Sequence, residues 1–316
     1  RLLEYFCNMA AARTGEIKRI LVVGLACLDI INTVERFPQE DEDIRALSQR
    51  WQKGGNAANT AVVLTQTLAT KCELLCSLNS GIEGQYVKAE LQKRGVLLEN
   101  CPVNKNCGFP TSCVLINSVS GSRTIVHARN NLPELELADF EKLDLSFYSW
   151  IHFEGRRNFD DIIKMMKKVR DFRREQNAKI KVSIELEKQR GAELVRSLLD
   201  EADVVFIGKD FAQFLGYKTP EETVVGLSGR VQTSPILVCP WGERGAVARG
   251  SDERIYSSPA YPPKSVVDTL GAGDTFIAGA IFCLHQGRLI EDAIHFACKL
   301  AGTKCGLQGF DGLHVT

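Results

Sequence analysis

Seven residues, Asp268-Thr269-Leu270-Gly271-Ala272-Gly273-Asp274, stand directly before the apolar run Thr275–Leu284. That run has the length and composition of a buried helix, so Gly271 to Asp274 would lie at its N-terminus. Free N–H groups and the helix dipole favour an anion there, and glycines let a phosphate approach the backbone. A carboxylate beside such a turn suits a general base that takes a proton from an attacking hydroxyl. The alternative is a glycine-rich turn in which Asp274 only caps the helix, since aspartate is a preferred cap.

A second glycine motif, Gly54-Gly55-Asn56-Ala57-Ala58-Asn59, precedes the apolar stretch Thr60–Leu68. Its two asparagines offer donors and acceptors to a hydroxyl-rich ligand, although a capped turn explains the motif as well. Two acids lie nearby in sequence: Asp29 follows the first predicted strand, and Asp41 lies in the turn after it. A carboxylate accepts hydrogen bonds from two adjacent sugar hydroxyls more strongly than a neutral group does. For Asp41 the alternative is an acid of a solvated loop.

Composition restricts the classes of protein to consider. The chain has 316 residues, with 39 Lys and Arg against 39 Asp and Glu, so it carries no electrostatic footprint for nucleic acid or an anionic membrane. No apolar run reaches the length of a membrane-spanning helix. The 11 cysteines show no Cys-x-x-Cys spacing, and several, such as Cys239 and Cys283, lie in apolar runs. We therefore expect buried, reduced thiols and a cytoplasmic protein.

The order of predicted elements indicates an α/β protein with a doubly wound, mostly parallel sheet flanked by helices. Buried strands alternate with helices. The predicted strands are Ile20–Gly24, Trp150–Phe153, Ile180–Leu186, Asp203–Ile207 and Pro235–Cys239. The predicted helices lie near Asp160–Gln176, Gly191–Glu201, Lys209–Leu215 and Pro220–Arg230. We expect a single domain over 19–316, preceded by a disordered extension over 1–18 that lacks a signal-type apolar core.

Two regions interrupt the alternation, at about 29–52 and 109–130. They contain four short candidate strands: Asp29–Thr33, Ile44–Gln52, Thr111–Ser118 and Arg123–Ala128. The last two flank Val119-Ser120-Gly121-Ser122 as a hairpin. We predict that they form a small four-stranded sheet that acts as a lid over the active face, and the outer face of such a sheet needs covering.

The two glycine motifs, in this order and at this separation, resemble the two signatures of the ribokinase-like (PfkB) carbohydrate kinases. The resemblance covers about Ile20 to Gly312. It is closer still to the branch of the family that phosphorylates fructose at C1, and the segments that carry it are Leu47–Asn56, Trp150–Arg156, Val238–Trp241 and Lys304–Gly312. It implies a ribokinase-like fold with a β lid and an ATP-dependent phosphotransferase that transfers the γ-phosphoryl group to an alcohol, the C1 hydroxyl of fructose.

The resemblance also implies roles for matching positions. Asp274 would be the base, and Gly271, Ala272 and Gly273 would form the anion hole. The family's sugar-binding positions match Asp29, Asp41, Gly55, Asn56, Asn59 and, in the lid hairpin, Arg123. The nucleotide would lie along Gly242, Glu243 and Gly245 and near Phe276, Ala301 and Cys305, with Gly271 and Gly273 at its phosphates.

The resemblance implies ATP with Mg²⁺ as cofactor, and K⁺ as a candidate monovalent cation near Asp268. Many relatives carry Asn-x-x-Glu after a central strand to organise the Mg²⁺ shell, but here Ile207 is followed by Gly208-Lys209-Asp210. The metal ligands are therefore unassigned. Lys209 and Asp210 are candidates for phosphate and metal, and a surface helix start explains them equally well. We expect fructose or a related ketose and ATP as partners, and a homodimer in which two lids cover each other.

The sequence also bears on other classes of protein. No Gly-x-x-x-x-Gly-Lys-Ser/Thr motif occurs, which excludes a P-loop kinase. A Rossmann dehydrogenase would need further glycines after Gly24, and Gly24-Leu25-Ala26-Cys27-Leu28-Asp29 lacks them. A sugar sensor on the same fold could lose Asp274, which this chain keeps. Ribokinase and adenosine kinase types share both motifs and remain alternatives for the substrate.

Overall fold

The protein is described from a computed structural model, which covers residues 18–189 and 192–315, apart from the side chain of Glu193. The predicted extension therefore lies outside the described residues except for Lys18, and so does Gly191, where a helix was predicted to begin. Within the described ranges, no helix combines the length and the apolar character that crossing a membrane requires.

The described strands are β1 (Arg19–Val23), β2 (Cys27–Val34), β3 (Ser48–Gly54), β4 (Cys72–Leu75), β5 (Leu78–Asn79), β6 (Val103–Asn104), β7 (Thr111–Asn117), β8 (Arg123–Ala128), β9 (Tyr148–Glu154), β10 (Lys181–Leu186), β11 (Val204–Ile207), β12 (Ile236–Pro240), β13 (Ala246–Arg249) and β14 (Ile255–Ser258). The α-helices are α1 (Asn56–Val62), α2 (Ile82–Lys93), α3 (Leu137–Phe140), α4 (Phe159–Gln176), α5 (Val195–Glu201), α6 (Lys209–Phe214), α7 (Pro220–Ser228), α8 (Ala272–His285) and α9 (Ile290–Cys305).

An eight-stranded sheet forms the centre, in the order β14-β13-β12-β11-β10-β9-β1-β4. The run from β4 to β12 is parallel, and β13 and β14 add an antiparallel hairpin at one edge. Side chains of β1 alternate between two cores, with Ile20 and Val22 facing α1, α8 and α9, and Leu21 and Val23 facing α4 to α7. Both faces are covered, which is why these strands are continuous apolar runs. The predicted doubly wound fold is confirmed.

The predicted small lid sheet is present, with four strands in the order β3-β2-β7-β8. Its two halves are antiparallel pairs, joined by parallel pairing of β2 with β7. The predicted start of the second lid strand at Ile44 is wrong, because that strand, β3, begins at Ser48. Asp41 adopts a left-handed conformation (φ 64°) in the turn, and the first contact back to β2 is the bond from Leu47 N to Thr33 O at 2.7 Å. The intervening residues therefore belong to a wider loop.

Parallel strands end at the same edge of the sheet, and in open α/β sheets ligands bind at that edge. Helix α1 begins at Asn56 and α8 begins at Ala272, so both glycine motifs open helices. The two helices pack against each other. The motifs are 215 residues apart in sequence where Asn59 meets Asp274, and the fold brings them into hydrogen-bond contact.

Candidate active site

The N-terminus of α8 presents an open turn. Gly271, the N-cap residue, is left-handed at φ 79°, and a Cβ there would overlap the ring of Phe310. The first N–H groups of a helix have no partner within it, and of these Ala272 N reaches Thr269 O only at 3.3 Å. Gly273 has helical backbone, and a Cβ there would meet no atom within 4 Å. The turn therefore leaves space and free donors suited to an anion. We call residues 268–273 the anion turn.

Asp274 lies in the first turn of α8 and does not cap it, because the N-cap residue is Gly271 and no side chain caps the helix. The capping interpretation of Asp274 is therefore wrong. Its side chain is 6% exposed, and Oδ2 accepts a hydrogen bond from Asn59 Nδ2 at 2.7 Å. Burial raises the pKa of Asp274 to about 7, and the bond from Asn59 acts in the opposite direction. A carboxylate with a pKa near neutrality is well matched to general-base catalysis.

Asn56 has its amide orientation fixed by two carboxylates. Nδ2 donates to Glu185 Oε1 at 3.2 Å and to Glu187 Oε2 at 2.7 Å, which uses both hydrogens of the amide. Burial raises the pKa of Glu185 well above its ordinary value, and the charge of Glu187 adds to the effect. No described residue donates to Asn56 Oδ1, so this oxygen is the acceptor that the side chain can offer to a sugar hydroxyl. Gly55, at φ 99°, is the N-cap residue of α1.

One face of the lid carries a polar row. The pairing places Gln52, Asp29, Ser112 and His127 side by side across the four strands, and paired residues share a face. Ser112 Oγ lies 3.1 Å from His127 Nδ1, and the Cys27 thiol donates to Asp29 Oδ1 at 3.6 Å. Burial raises the pKa of Asp29. Hydrogen-bonding groups on this row are suited to a polyhydroxylated ligand.

The lid also reaches the anion turn. Arg123 Nη1 donates to the hydroxyl of Thr269, two residues before Gly271. In contrast, Asp41 is exposed, and its side chain makes no hydrogen bond or ion pair with any described residue. The structure thus brings Arg123 to the predicted site and does not bring Asp41 into contact with it.

A buried lysine anchors the start of the anion turn. Lys304 Nζ donates to Asp268 O at 2.8 Å and lies 3.1 Å from Asp268 Oδ2. The same carboxylate accepts from Leu270 N at 2.9 Å and from Gly309 N at 3.0 Å, while Cys305 O accepts from Val267 N at 2.8 Å. The cation beside the main-chain carbonyl of Asp268 is therefore the ammonium of Lys304.

The predicted nucleotide positions divide into three groups. Gly242, Glu243 and Gly245 belong to the turn after β12, where Gly242 (φ 59°) faces open space and a Cβ on Gly245 would overlap Ser258 O. Ala301 and Cys305 are half-buried on α9. Phe276 is 3% exposed and packs in the core beneath α8, so it leaves almost no surface for a ligand and we assign it to packing.

The described residues contain no group of three or more His, Cys, Asp or Glu placed to hold a metal ion. Lys209, a candidate for phosphate binding, has its ammonium 5.9 Å from the centroid of the Trp241 ring. Asp210 lies in the first turn of α6.

Sequence reasoning gave no role to four residues that border the site. These are Lys53, Phe310, Glu185 and Glu187. A signal existed for Lys53, which directly precedes the paired glycines Gly54 and Gly55. The tail that contains Phe310 and the strand that contains Glu185 are distant in sequence, and only the fold shows that they reach this site.

The comparisons with known proteins agree with this geometry. The family model described as pfkB family carbohydrate kinase matches residues 17–311. The chain is 45% identical over 300 residues to ketohexokinase of Mus musculus, covering 94% of this chain and 99% of that protein. It is 25% identical to a ribokinase of Arabidopsis thaliana, covering 96% of this chain and 80% of that protein.

Solved structures show the same fold. Ribokinase from Giardia lamblia superposes with a TM-score of 0.80 at 16% identity, covering 93% of this chain and 94% of that chain. Arabidopsis thaliana ribokinase complexed with ribose and ATP superposes with a TM-score of 0.76 at 23% identity, covering 92% and 94%. The family match confirms the resemblance seen in the two glycine motifs and excludes the Rossmann dehydrogenase. The chain belongs to the pfkB family of carbohydrate kinases.

Proposed function

We propose that the protein transfers the γ-phosphoryl group of ATP to the C1 hydroxyl of fructose, which is ketohexokinase activity. The observation that carries the proposal is the contact between the two motifs, in which Asn59 holds the buried Asp274 carboxylate beside the open turn of α8. The identity of 45% to a ketohexokinase over 94% of the chain supports fructose as the acceptor.

In this proposal Asp274 accepts the proton of the C1 hydroxyl while the oxygen bonds to the γ-phosphorus and ADP leaves. The N–H groups of Gly271, Ala272 and Gly273 offset the charge on the phosphoryl oxygens, because preorganised donors stabilise a transition state without reorganising. Asp29, Asn56 and Asn59 would orient the sugar from the lid and from α1. Orientation matters because phosphoryl transfer relies mainly on positioning and charge stabilisation.

The site also has groups that fit magnesium carried on the nucleotide. Mg²⁺ is usually held by substrate phosphates, water and one or two carboxylates, so a cluster of three acids is not required. Glu185 Oε2 is buried without a hydrogen-bond partner, and Glu187 lies beside it on Asn56. These two carboxylates would hold the ion's hydration shell, and the ion would neutralise charge on the transferred group.

Several further roles remain proposals. Arg123 would contact the ligand from the lid, Asp41 would do so only if its turn moved inward, and Gly55 would contact the sugar through its own backbone. Gly242, Glu243, Gly245, Ala301 and Cys305 would lie along the nucleotide. A K⁺ ion near Asp268 would need other carbonyls than that of Asp268, which already accepts from Lys304. Replacing KCl with tetramethylammonium chloride in the assay tests this ion. Ten free cysteines among the described residues support a cytoplasmic protein.

We also propose a homodimer through the lids. On the face opposite the polar row, the pairing places Trp51, Ile30, Cys113 and Val126 side by side. Trp51 is 40% exposed and Val126 is 66% exposed. A row of this kind needs covering, and a twofold axis would cover each lid with the other. Val126→Asp should convert the dimer to a monomer by light scattering, and a wild-type monomer at micromolar concentration would contradict the proposal.

A coupled assay of ADP formation tests the activity. Fructose, ribose, adenosine and fructose 6-phosphate are compared at equal concentration, with Asp274→Asn as the inactive control. We expect the highest kcat/KM with fructose. A clear preference for ribose or adenosine would leave the family assignment intact and overturn the fructose proposal. Fructose binding by calorimetry without turnover of any acceptor would instead indicate a sugar-binding protein.

A further inference from the structure

Lys53 is a buried lysine in the lid, and the proposed chemistry does not use it. It is the penultimate residue of β3, and its side chain is 2% exposed. Its ammonium lies 3.9 Å from the centroid of the Phe310 ring and donates a hydrogen bond to Asn59 Oδ1. Burying an ammonium is costly unless it is paired, so its position calls for an explanation.

The charged groups around Lys53 come from several elements. Asp29 on β2 and Asp274 on α8 attract it, and Arg94, at the end of α2, repels it. Lys304 of α9 also approaches Phe310, with its ammonium 5.5 Å from the ring centroid. Among described residues no carboxylate forms a salt bridge with Lys53, and burial lowers its pKa to about 7. The Asn59 carbonyl and the face of an aromatic ring are its contacts.

Asn59 links this ammonium to the proposed base. Its carbonyl oxygen faces Lys53, and its Nδ2 faces Asp274 Oδ2 at 2.7 Å. The side-chain amide has one oxygen and one NH₂ group, so a donor that binds the oxygen on one side fixes the NH₂ group on the other. We propose that Lys53 is a positioning residue for Asp274: its ammonium holds the Asn59 amide in the orientation that donates to the carboxylate of the base.

The contacts from the Lys53 ammonium through the Asn59 amide to the Asp274 carboxylate affect both the charge of the base and its link to the lid. A positive charge favours the ionised form of Asp274, both through space and through the polarised amide. The contact also ties the base to the lid, because Lys53 and Asp29 lie on paired strands of that sheet. Lys53 therefore couples the sugar-binding lid to the protonation state of the base.

The inference rests on the proposed kinase function, and a pH profile tests the two separately. The acid limb of kcat/KM for fructose reports ionisation of Asp274 in the free enzyme. Lys53→Met should move this limb upward by about one pH unit, since an opposite charge nearby typically lowers a carboxyl pKa by 1 unit or more. Its activity should fall about tenfold at pH 6.5 and approach wild type at pH 9, where Lys53 of the wild type is also largely neutral.

Lys53→Arg, which keeps the charge, should retain the wild-type limb or move it downward. Lys167→Met, on the exposed face of α4, is the matched control and should leave the profile unchanged. A wild-type enzyme that does not turn over fructose would contradict the proposed function. An active wild type with an unshifted limb in Lys53→Met, or a loss that is equal at every pH, would overturn the role of Lys53. If Lys53→Met does not fold, an upward shift of the acid limb in Lys53→Arg would also overturn the role of Lys53.

Discussion

Replacing Asp274 with asparagine should stabilise the protein at alkaline pH while abolishing most of its activity. Burial raises the pKa of Asp274 from 3.8 to about 7, so folding disfavours its ionised form. A shift of about 3 units at 1.36 kcal/mol per unit gives an upper bound of about 4 kcal/mol. The shift to about 7 already includes the attraction to Lys53, which lowers the pKa of Asp274. Because the carboxyl is protonated in both folded and unfolded states at low pH, the penalty is absent below about pH 4, grows through pH 7 and is complete above it.

The assay is urea unfolding of wild type and Asp274→Asn at pH 4.5 and pH 8.5, with kcat measured alongside. The free energy of unfolding of the variant should exceed that of wild type by roughly 2 to 4 kcal/mol at pH 8.5, with a much smaller difference at pH 4.5. The kcat should fall by about 10² to 10⁴, the usual contribution of a general base. Asp43→Asn, an exposed acid of the lid turn, is the control. A pH-independent difference would refute the reasoning on burial, and turnover within tenfold of wild type would remove Asp274 from the mechanism.

Two further substitutions test the turn and the sugar site. Gly271→Ala should destabilise the fold by more than Gly121→Ala, because both glycines are left-handed but only at position 271 would a Cβ strike Phe310; equal melting temperatures would contradict this. Asp29→Asn keeps the shape of the side chain beside Gly54. It should raise the fructose Kd by about 5- to 150-fold and leave the nucleotide Kd unchanged, since a lost hydrogen-bond partner costs roughly 1–3 kcal/mol. Calorimetry measures both Kd values, and an equal loss of affinity for fructose and nucleotide would contradict the assignment of Asp29 to the sugar.

Much of the fold was predictable because its signals are local. Strands buried on both faces produce continuous apolar runs, as in β1 and β11, and their alternation with helices predicts the parallel sheet. The hairpin of β7 and β8 was predicted nearly to the residue. The start of β3 was not, because Ile44 to Leu47 have strand-like composition but lie in a loop whose path depends on the left-handed Asp41.

The site was predictable only as far as the motifs extend. Glycines and acids at helix starts indicated an anion turn and a base, but not that Gly271 is the left-handed residue or that Asp274 faces Asn59. The partner of an amide depends on tertiary contacts, so the bonds from Asn56 to Glu185 and from Lys53 to Asn59 could not be read from spacing. Phe276 was placed near the nucleotide, yet the rotation of α8 directs it into the core.

The most direct test of the central claim is the identity of the phosphorylated product. The enzyme is incubated with fructose and MgATP, and the mixture is examined by phosphorus NMR beside authentic fructose 1-phosphate and fructose 6-phosphate. Asp274 can take a proton only from the hydroxyl that lies next to the turn of α8, so a single regioisomer should form. We predict fructose 1-phosphate in the wild-type reaction and none with Asp274→Asn. Phosphate at C6, or no sugar phosphate while ATP is consumed with another acceptor, would contradict the account.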